Sequence, residues 1–218
     1  FVADDGRHGS EPWVSDGTPQ GTFLLNDVWE GSVGSAVERL TPAGDRCFFA
    51  ADDGIHGTGL WVTDGTEDGT RLVRTTYPEH PDRLAASGDR AFFWARSFPS
   101  TEAEMWVSDG TPDGTFPVSG LLPPGERAEE AVFAGGRLFL ATHDGAGTWR
   151  LRVSDDGVSA ASLLRDFGMP ANGPPILWLT TAGDRVFFSA AGSEFPELWV
   201  SDGTPAGTAE VRDGGWFT

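Results

Sequence analysis

Apolar residues along the chain fall in short clusters, separated by stretches dense in Gly, Asp, Ser and Pro. "RCFFAA" (46–51), "GLWVT" (59–63), "RAFFWA" (90–95), "RLFLA" (137–141), "RVFFSA" (185–190) and "LWVS" (198–201) are representative. Aromatic and β-branched side chains dominate these runs and no three-to-four spacing is present, so each predicts a β-strand. In Phe48-Phe49 and Leu60-Trp61-Val62 successive residues are apolar. Both faces of those strands are therefore expected to be buried, as in a sheet packed between two neighbours.

The clusters recur at a fixed period. "WVSDGTPQGT" (13–22) returns as "WVTDGTEDGT" (61–70), "WVSDGTPDGT" (106–115) and "WVSDGTPAGT" (199–208), and a degenerate copy, "RVSDDG", has Arg152 in the Trp place. Successive markers lie 48, 45, 46 and 47 residues apart. A second marker runs in step: "GDRCFFA" (44–50), "GDRAFFW" (88–94), "GGRLFLA" (135–141) and "GDRVFFS" (183–189), and the opening "FVADDG" matches "FAADDG" (49–54). Each unit reads as four strands: a brief apolar piece such as "RLT" (39–41), then "DRxFFxA", "LWVSD", and a fourth after the "GTPxGT" turn.

A period in the forties with four strands per unit predicts an all-β fold, a β-propeller of about five four-stranded antiparallel blades with a repeat near 46 residues. The predicted blades span 1–38, 39–82, 83–128, 129–175 and 176–218 of one domain. A stacked β-solenoid is the alternative. Phe1 falls in the middle of a strand pattern, so the chain is expected to be a segment of a longer protein. Trp216-Phe217-Thr218 would either complete the first blade or begin a further link.

The repeated hairpin has a structural rationale. Its carboxylates (Asp16, Asp64, Asp109, Asp202) can accept bonds from loop amides, its glycines are expected at positive φ, and its threonines can bond locally. The preceding Trp is expected to wedge between blades, burying about 150–250 Å². Scaffolding is the reading taken for this turn. The Arg residues of the "GDR" turns (Arg46, Arg90, Arg137, Arg185) are expected to pair with nearby Asp side chains.

The "ELWVSDGTPAGT" spelling closely resembles the ELWxxDGT-type repeat of large exported or lipoprotein-like proteins of myxobacteria and related bacteria. The resemblance covers essentially the whole chain and departs in "WRLRVSDDGVSAASLL" of the fourth unit, which lacks the Trp and the second Gly-Thr, and in parts of the third. It implies a propeller-like, extracytoplasmic protein, periplasmic, cell-surface or secreted. It implies no activity.

Charge narrows the partners. The chain holds 33 acidic and 15 basic residues, every basic one Arg, for a net charge of −18. Such a surface repels phosphate backbones, so nucleic acid and anionic lipid are poor partners, while divalent cations and basic protein patches suit it. No run approaches the roughly 18 apolar residues of a membrane span. The single cysteine, Cys47, excludes an internal disulfide framework and stands where other units have Ala91, Leu138 and Val186, so a buried apolar role is expected.

In an up-and-down blade the "GDR" and "SDGTPxGT" turns share one end, and the irregular loops lie at the other. Divergent, aromatic-bearing loops are where a partner is expected to bind. Two constellations stand out there: "DDGRHG" (Asp4, Asp5, His8) and "DDGIHG" (Asp52, Asp53, His56). Adjacent carboxylates could ligate Ca²⁺ at Asp4, Asp5, Asp52 and Asp53, with the imidazoles nearby, or they could simply build Asx turns. No other cofactor is indicated. Trp29, Tyr77 and Trp216 in the inter-blade links could contact a protein or sugar, or plug the gap between blades. Four histidines (His8, His56, His80, His143) accompany no nucleophile-elbow pattern, and no carboxylate pair is singled out, so no catalytic residue is assigned. The favoured reading is a non-enzymatic protein-interaction scaffold or accessory subunit. A carbohydrate-binding, lectin-like propeller is the alternative, and a glycoside hydrolase comes after it.

Overall fold

The computed structural model describes residues 1–75, 81–96, 103–169, 176–191 and 196–212. Among them there is no helix, and all regular structure is antiparallel β-sheet. Sheet 1 contains β1 (Val2–Asp4), β2 (Ser10–Val14) and β3 (Phe23–Leu24). Sheet 2 follows in simple order with β4 (Glu38–Ala43), β5 (Arg46–Asp52), β6 (Thr58–Thr63) and β7 (Arg71–Thr75). Sheet 3 holds β8 (Asp82–Ser87), β9 (Arg90–Ala95), β10 (Glu104–Ser108) and β11 (Phe116–Pro117). Sheet 4 holds β12 (Glu126–Ala134), β13 (Arg137–Asp144), β14 (Trp149–Ser154) and β15 (Ser162–Gly168). Sheet 5 holds β16 (Ile176–Ala182), β17 (Arg185–Ala191), β18 (Pro196–Ser201) and β19 (Ala209–Arg212). Four sheets thus have the expected four strands, and sheet 1 has three among the described residues. Trp216-Phe217-Thr218 lies outside them.

The chain divides into two compact units, Phe1–Val118 and Ser119–Thr218. The division follows β11, a two-residue strand whose Pro117 has no amide to extend the ladder.

The repeated spelling sets a repeated register. Phe49 lies opposite Trp61, Phe93 opposite Trp106, and Phe188 opposite Trp199. Each pair is offset-stacked, with centroids 6.3, 6.2 and 6.4 Å apart and planes within 21–24° of parallel. In the degenerate unit the opposed pair is Leu140 and Arg152. Adjacent apolar residues serve opposite faces, as the strand pattern predicts. Phe48 packs with Leu60, Val62, Phe93 and Trp106 between sheets 2 and 3, whereas Phe49 packs with Trp61, Val28 and Val37 on the other side. Trp61, Trp106 and Trp199 are buried, and their indole N–H groups, with that of Trp13, have no acceptor among the described residues. These rings act through packing. Arginines from the preceding sheet lie over two of them, Arg74 over Trp106 at 4.6 Å and Arg165 over Trp199 at 4.8 Å.

Within each unit the first strands of neighbouring sheets run close, β4 beside β8 and β12 beside β16. No comparable contact joins β7 to β11 or β15 to β19 among the described residues, so the sheets fan outward from the first-strand edge. Every one of these four first strands slips register against its partner. Three of the slips carry a non-glycine residue at positive φ: Arg39 (+58°), Arg83 (+49°) and Trp178 (+57°).

Candidate functional site

The Ser-Asp-Gly-Thr hairpins are closed hydrogen-bond devices. In the third, Asp109 Oδ1 accepts from the Thr111 amide at 2.8 Å and its hydroxyl at 2.7 Å. Thr111 Oγ1 accepts the Gly114 amide at 3.0 Å, and buried Ser108 and Thr115 join hydroxyls at 2.7 Å. Asp16, Asp64 and Asp202 repeat the arrangement on Thr18, Thr66 and Thr204. Bonding from the Thr hydroxyl, then its amide, holds all four carboxyls below the usual range.

The two glycines of this turn have different reasons, which corrects the expectation that both take positive φ. Gly17, Gly65, Gly110 and Gly203 do, at +85° to +91°. Gly21, Gly69, Gly114 and Gly207 do not. A Cβ on any of these would lie 1.9–2.1 Å from the nearest atom of the hairpin's own Asp carboxylate. They are glycine to leave room for that side chain.

Two of the "GDR" arginines pair with Asp side chains as expected, Arg137 with Asp155 at 3.3 Å and Arg46 with Asp45 at 3.8 Å, and both also reach further. Arg46 donates to the Asp109 carbonyl and Arg137 to the Asp202 carbonyl at 3.0 Å, so each latches onto the hairpin backbone of the next sheet. The paired carboxylates, Asp45 and Asp155, are 90% and 87% exposed, so their ion pairs add little beside the carbonyl bonds.

The Asp-Asp-Gly turns are built alike in sheets 1 and 2. Asp4 accepts the Gly6 amide, and Asp5 accepts the Arg7 and His8 amides and the His8 ring at 2.8 Å. Asp52 likewise accepts Gly54, and Asp53 accepts Ile55, His56 and the His56 ring at 2.6 Å. The His8 and Arg7 amides, with the His8 ring, hold the Asp5 carboxyl down at about 2. Burial works to raise Asp53, and the His56 ring and amides outweigh it, leaving the carboxyl below its usual value. The geometry is that of Asx turns, and no group of three or more His, Cys, Asp or Glu is placed to hold a metal among the described residues.

Trp29 is half-buried on the Gly54 turn, where a Cβ would come within 2.6 Å of its indole. It fills the gap between sheets 1 and 2. Tyr77, His80 and Trp216 lie outside the described residues. The link carrying Trp29 is also a strap. Glu11, fully buried in β2, accepts the Val28 and Trp29 amides at 3.2 and 3.3 Å and the Ser35 hydroxyl at 2.5 Å. Ser35 bonds Ser10 on one side and Asp52 on the other, and Gly34 meets Gly9 too closely for any side chain. Burial raises the Glu11 carboxyl above its usual value, against the three donors that lower it. Sequence reasoning passed over Glu11, and its neighbours in β2, exposed Ser10 and buried Pro12, carry no clear signal of its burial.

A second overlooked group stands where the repeat decays. Arg152 grips Glu126 with two bonds of 2.6 and 2.7 Å, and Arg150 bonds Glu126, Asp144 and Asp166 at 3.1, 3.0 and 3.1 Å. The Glu126 side chain is only 7% exposed. Burial would raise its carboxyl, but Arg152 outweighs burial and holds it below the usual value. Cys47 is only partly buried, unlike its counterparts Ala91, Leu138 and Val186. It lines a mostly apolar cavity of about 340 Å³ in the first unit with Trp13, Leu25, Leu40 and Phe49, and burial raises its thiol.

No family model and no curated protein sequence matches the chain. Among solved structures it is similar to TolB from Acinetobacter baumannii, at a TM-score of 0.53 and 10% identity over 95% of this chain. It is similar to a prolyl endopeptidase at 0.63 and 13% over 93%, and to a puromycin-hydrolyzing peptidase of Mycobacterium tuberculosis at 0.57 and 14% over 89%. The chain spans 49% of the TolB chain and 30% of each peptidase chain. These neighbours are of β-propeller type, and the likeness shows a propeller-like, all-β repeat architecture.

Proposed function

We propose that the chain is a non-enzymatic β-propeller module, its sheets serving as blades, which acts as a protein-interaction scaffold or accessory subunit in an extracytoplasmic assembly. One observation carries the reading: the carboxylates and imidazoles that chemistry would need are engaged in building turns and straps. Asp5 with His8, Asp53 with His56, and buried Glu11 are examples. Exposed side chains that differ between repeats, such as Arg39 and Trp178, stand on a near-constant frame, which suits recognition. The likeness to propeller-type structures supports the blade arrangement, and the resemblance to ELWxxDGT repeats supports placement outside the cytoplasm. The −18 charge favours a partner with basic patches over nucleic acid.

The test is immobilisation of the chain, capture from extracts of its native cell envelope, and reconstitution of any complex from purified parts. A stoichiometric complex is expected. Turnover on a glycosidase, esterase or peptidase substrate panel would overturn the non-enzymatic reading. Dose-dependent glycan-array binding without a protein complex would favour the lectin.

A further inference from the structure

Three hairpins that share the Asp-Gly spelling differ in what covers them. In sheet 3 the cover comes from sheet 2: Arg46 donates to the Asp109 carbonyl, and a Cβ on Gly110 would lie 3.0 Å from Arg46 Nη1 and 3.6 Å from Phe48 Cζ. In sheet 5 it comes from sheet 4: Arg137 donates to the Asp202 carbonyl, and a Cβ on Gly203 would lie 2.5 Å from Arg137 Nη1 and 3.3 Å from Phe139 Cζ. Each turn is therefore covered by an Arg-x-Phe stretch of the neighbouring second strand, Arg46-Cys47-Phe48 or Arg137-Leu138-Phe139. The cation sits on a carbonyl with the ring beside it. At Gly65 of sheet 2 the same Cβ would meet nothing within 4 Å, so neither guanidinium nor ring stands where the other two turns have them.

Against that uncovered turn lies the 340 Å³ cavity, with Thr63, Asp64 and Gly65 among its walls and Trp13, Leu25 and Phe49 supplying apolar surface. Its volume falls within the range of ligand pockets, about 300–1,000 Å³. Two of its lining residues, Phe1 and Leu40, are 52% and 37% exposed, which leaves it open to solvent. A strand edge adjoins it. Phe1 and Trp13 exchange backbone bonds of 3.0 and 2.8 Å, and past Trp13 the β1 side of sheet 1 has no neighbour among the described residues. In sheet 2 the residues matching Val14 and Ser15, Val62 and Thr63, pair with Phe48 and Cys47. Asp45 and Asp64 also line the cavity on a chain of −18, and Arg46, the cation among its walls, is committed to the Asp109 carbonyl. A strand edge, an apolar socket and an uncovered carbonyl thus lie together, and they match an extended backbone, a ring and a guanidinium.

We infer that this cavity docks an extended Arg-x-Phe segment of a protein partner, its ring entering between sheets 1 and 2 and its guanidinium bonding the Asp64 carbonyl. The chain's own Arg-x-Phe stretches show the chemistry of the occupant, and the acidic surface favours a cationic one. The inference deepens the scaffold reading and rests on it. Cys47 is the single cysteine and lines the cavity, so its alkylation rate in the full chain reports occupancy. The probe is the blocked peptide acetyl-Gly-Asp-Arg-Ala-Phe-amide, the spelling of residues 88–92. Its comparators carry citrulline for Arg or Ala for Phe. Saturable protection of Cys47 is expected at about 0.1–1 mM peptide, with each comparator at least about tenfold weaker.

Two variants separate space from thiol chemistry. By titration calorimetry, Cys47→Phe, which fills the cavity from its wall, should weaken the peptide about tenfold or more, and Cys47→Ala should bind it as wild type does. No saturable protection, equal protection by the comparators, or unchanged binding to a folded Cys47→Phe chain would each overturn the site. The peptide should also displace the captured partner. A complex that saturating peptide leaves intact removes the partner from this cavity while the scaffold reading stands. Peptide binding by a chain that forms no protein complex fails the scaffold reading, and the partner with it. Cys47 already protected in native protein free of any partner would assign the cavity to a segment of the same polypeptide. Protection that grows with protein concentration would assign it to a second copy, and either result overturns the partner.

Discussion

The two glycines of the Ser-Asp-Gly-Thr hairpin provide a direct test of how the repeat is built, with Gly114→Ala as the perturbation. The new methyl would sit 2.1 Å from Asp109 Cγ, where ordinary contact requires about 3.4 Å or more. The carboxylate must therefore swing away, releasing the 2.8 and 2.7 Å bonds from the Thr111 amide and hydroxyl. Hydrogen bonds to a charged acceptor contribute about 1.5–3 kcal/mol each. Because the freed groups can rehydrate in this turn, the expected loss is about 2–3 kcal/mol in all. Asp109→Ala alone removes the same bonds and is expected to cost a similar amount. Once the carboxylate is gone, the three atoms nearest the new methyl are gone with it. Gly114→Ala in the Asp109→Ala background is then expected to cost little, giving a coupling of about 2 kcal/mol in the double-mutant cycle. Urea unfolding followed by Trp fluorescence measures it, with an unchanged m-value as the check on comparability. Gly110→Ala is the contrast. Its φ of +86° penalises any side chain, so its cost of about 1–2 kcal/mol should add to that of Asp109→Ala without coupling. Full additivity of Gly114→Ala with Asp109→Ala would refute the spatial account of the second glycine.

Acid is expected to loosen the turns. Asp5, Asp16, Asp53, Asp64, Asp109 and Asp202 all titrate below their usual 3.8 in the fold, so their stabilisation is present above that value and is lost as pH falls through the folded values, about 2 for Asp5. A melting temperature measured by circular dichroism should fall between about pH 4 and 2, and a flat profile there would contradict the assignment. Glu11 carries the opposite sign: its raised pKa makes its contribution decline as pH rises above 4.5, so Glu11→Gln should gain on wild type over that range. Glu11→Leu should cost about 3 kcal/mol or more in urea unfolding, since it strands the Val28, Trp29 and Ser35 donors. Glu126→Gln should cost about 3–5 kcal/mol by leaving Arg152 buried without its counter-charge, whereas Glu126→Leu with Arg152→Trp, which restores the repeat's aromatic, should recover most of it. Calcium in millimolar excess should move the melting temperature by less than about a degree, because Asp4, Asp5, Asp52 and Asp53 already bond amides.

What the sequence made legible is what repeats locally. The Phe–Trp opposition and the Asp-Gly-Thr turn are each specified within a few tens of residues, so spelling and period suffice to locate strands and hairpins. What it hid depends on contacts that the repeated spelling does not mark. Nothing local to Glu11 indicates that residues 28–35 return to it, and the partner of Arg152 stands 26 residues earlier, at the start of β12. Residues 28–38 look like free loop material in the sequence, yet Val28, Ser35 and Val37 are buried. A loop that straps two sheets together has limited freedom to serve a partner, and Trp29 packs where it does because Gly54 leaves room for it. The first strands look least informative as text, "RLT" and "ILWLT", yet they carry exposed side chains on a backbone that only tertiary pairing can hold at positive φ.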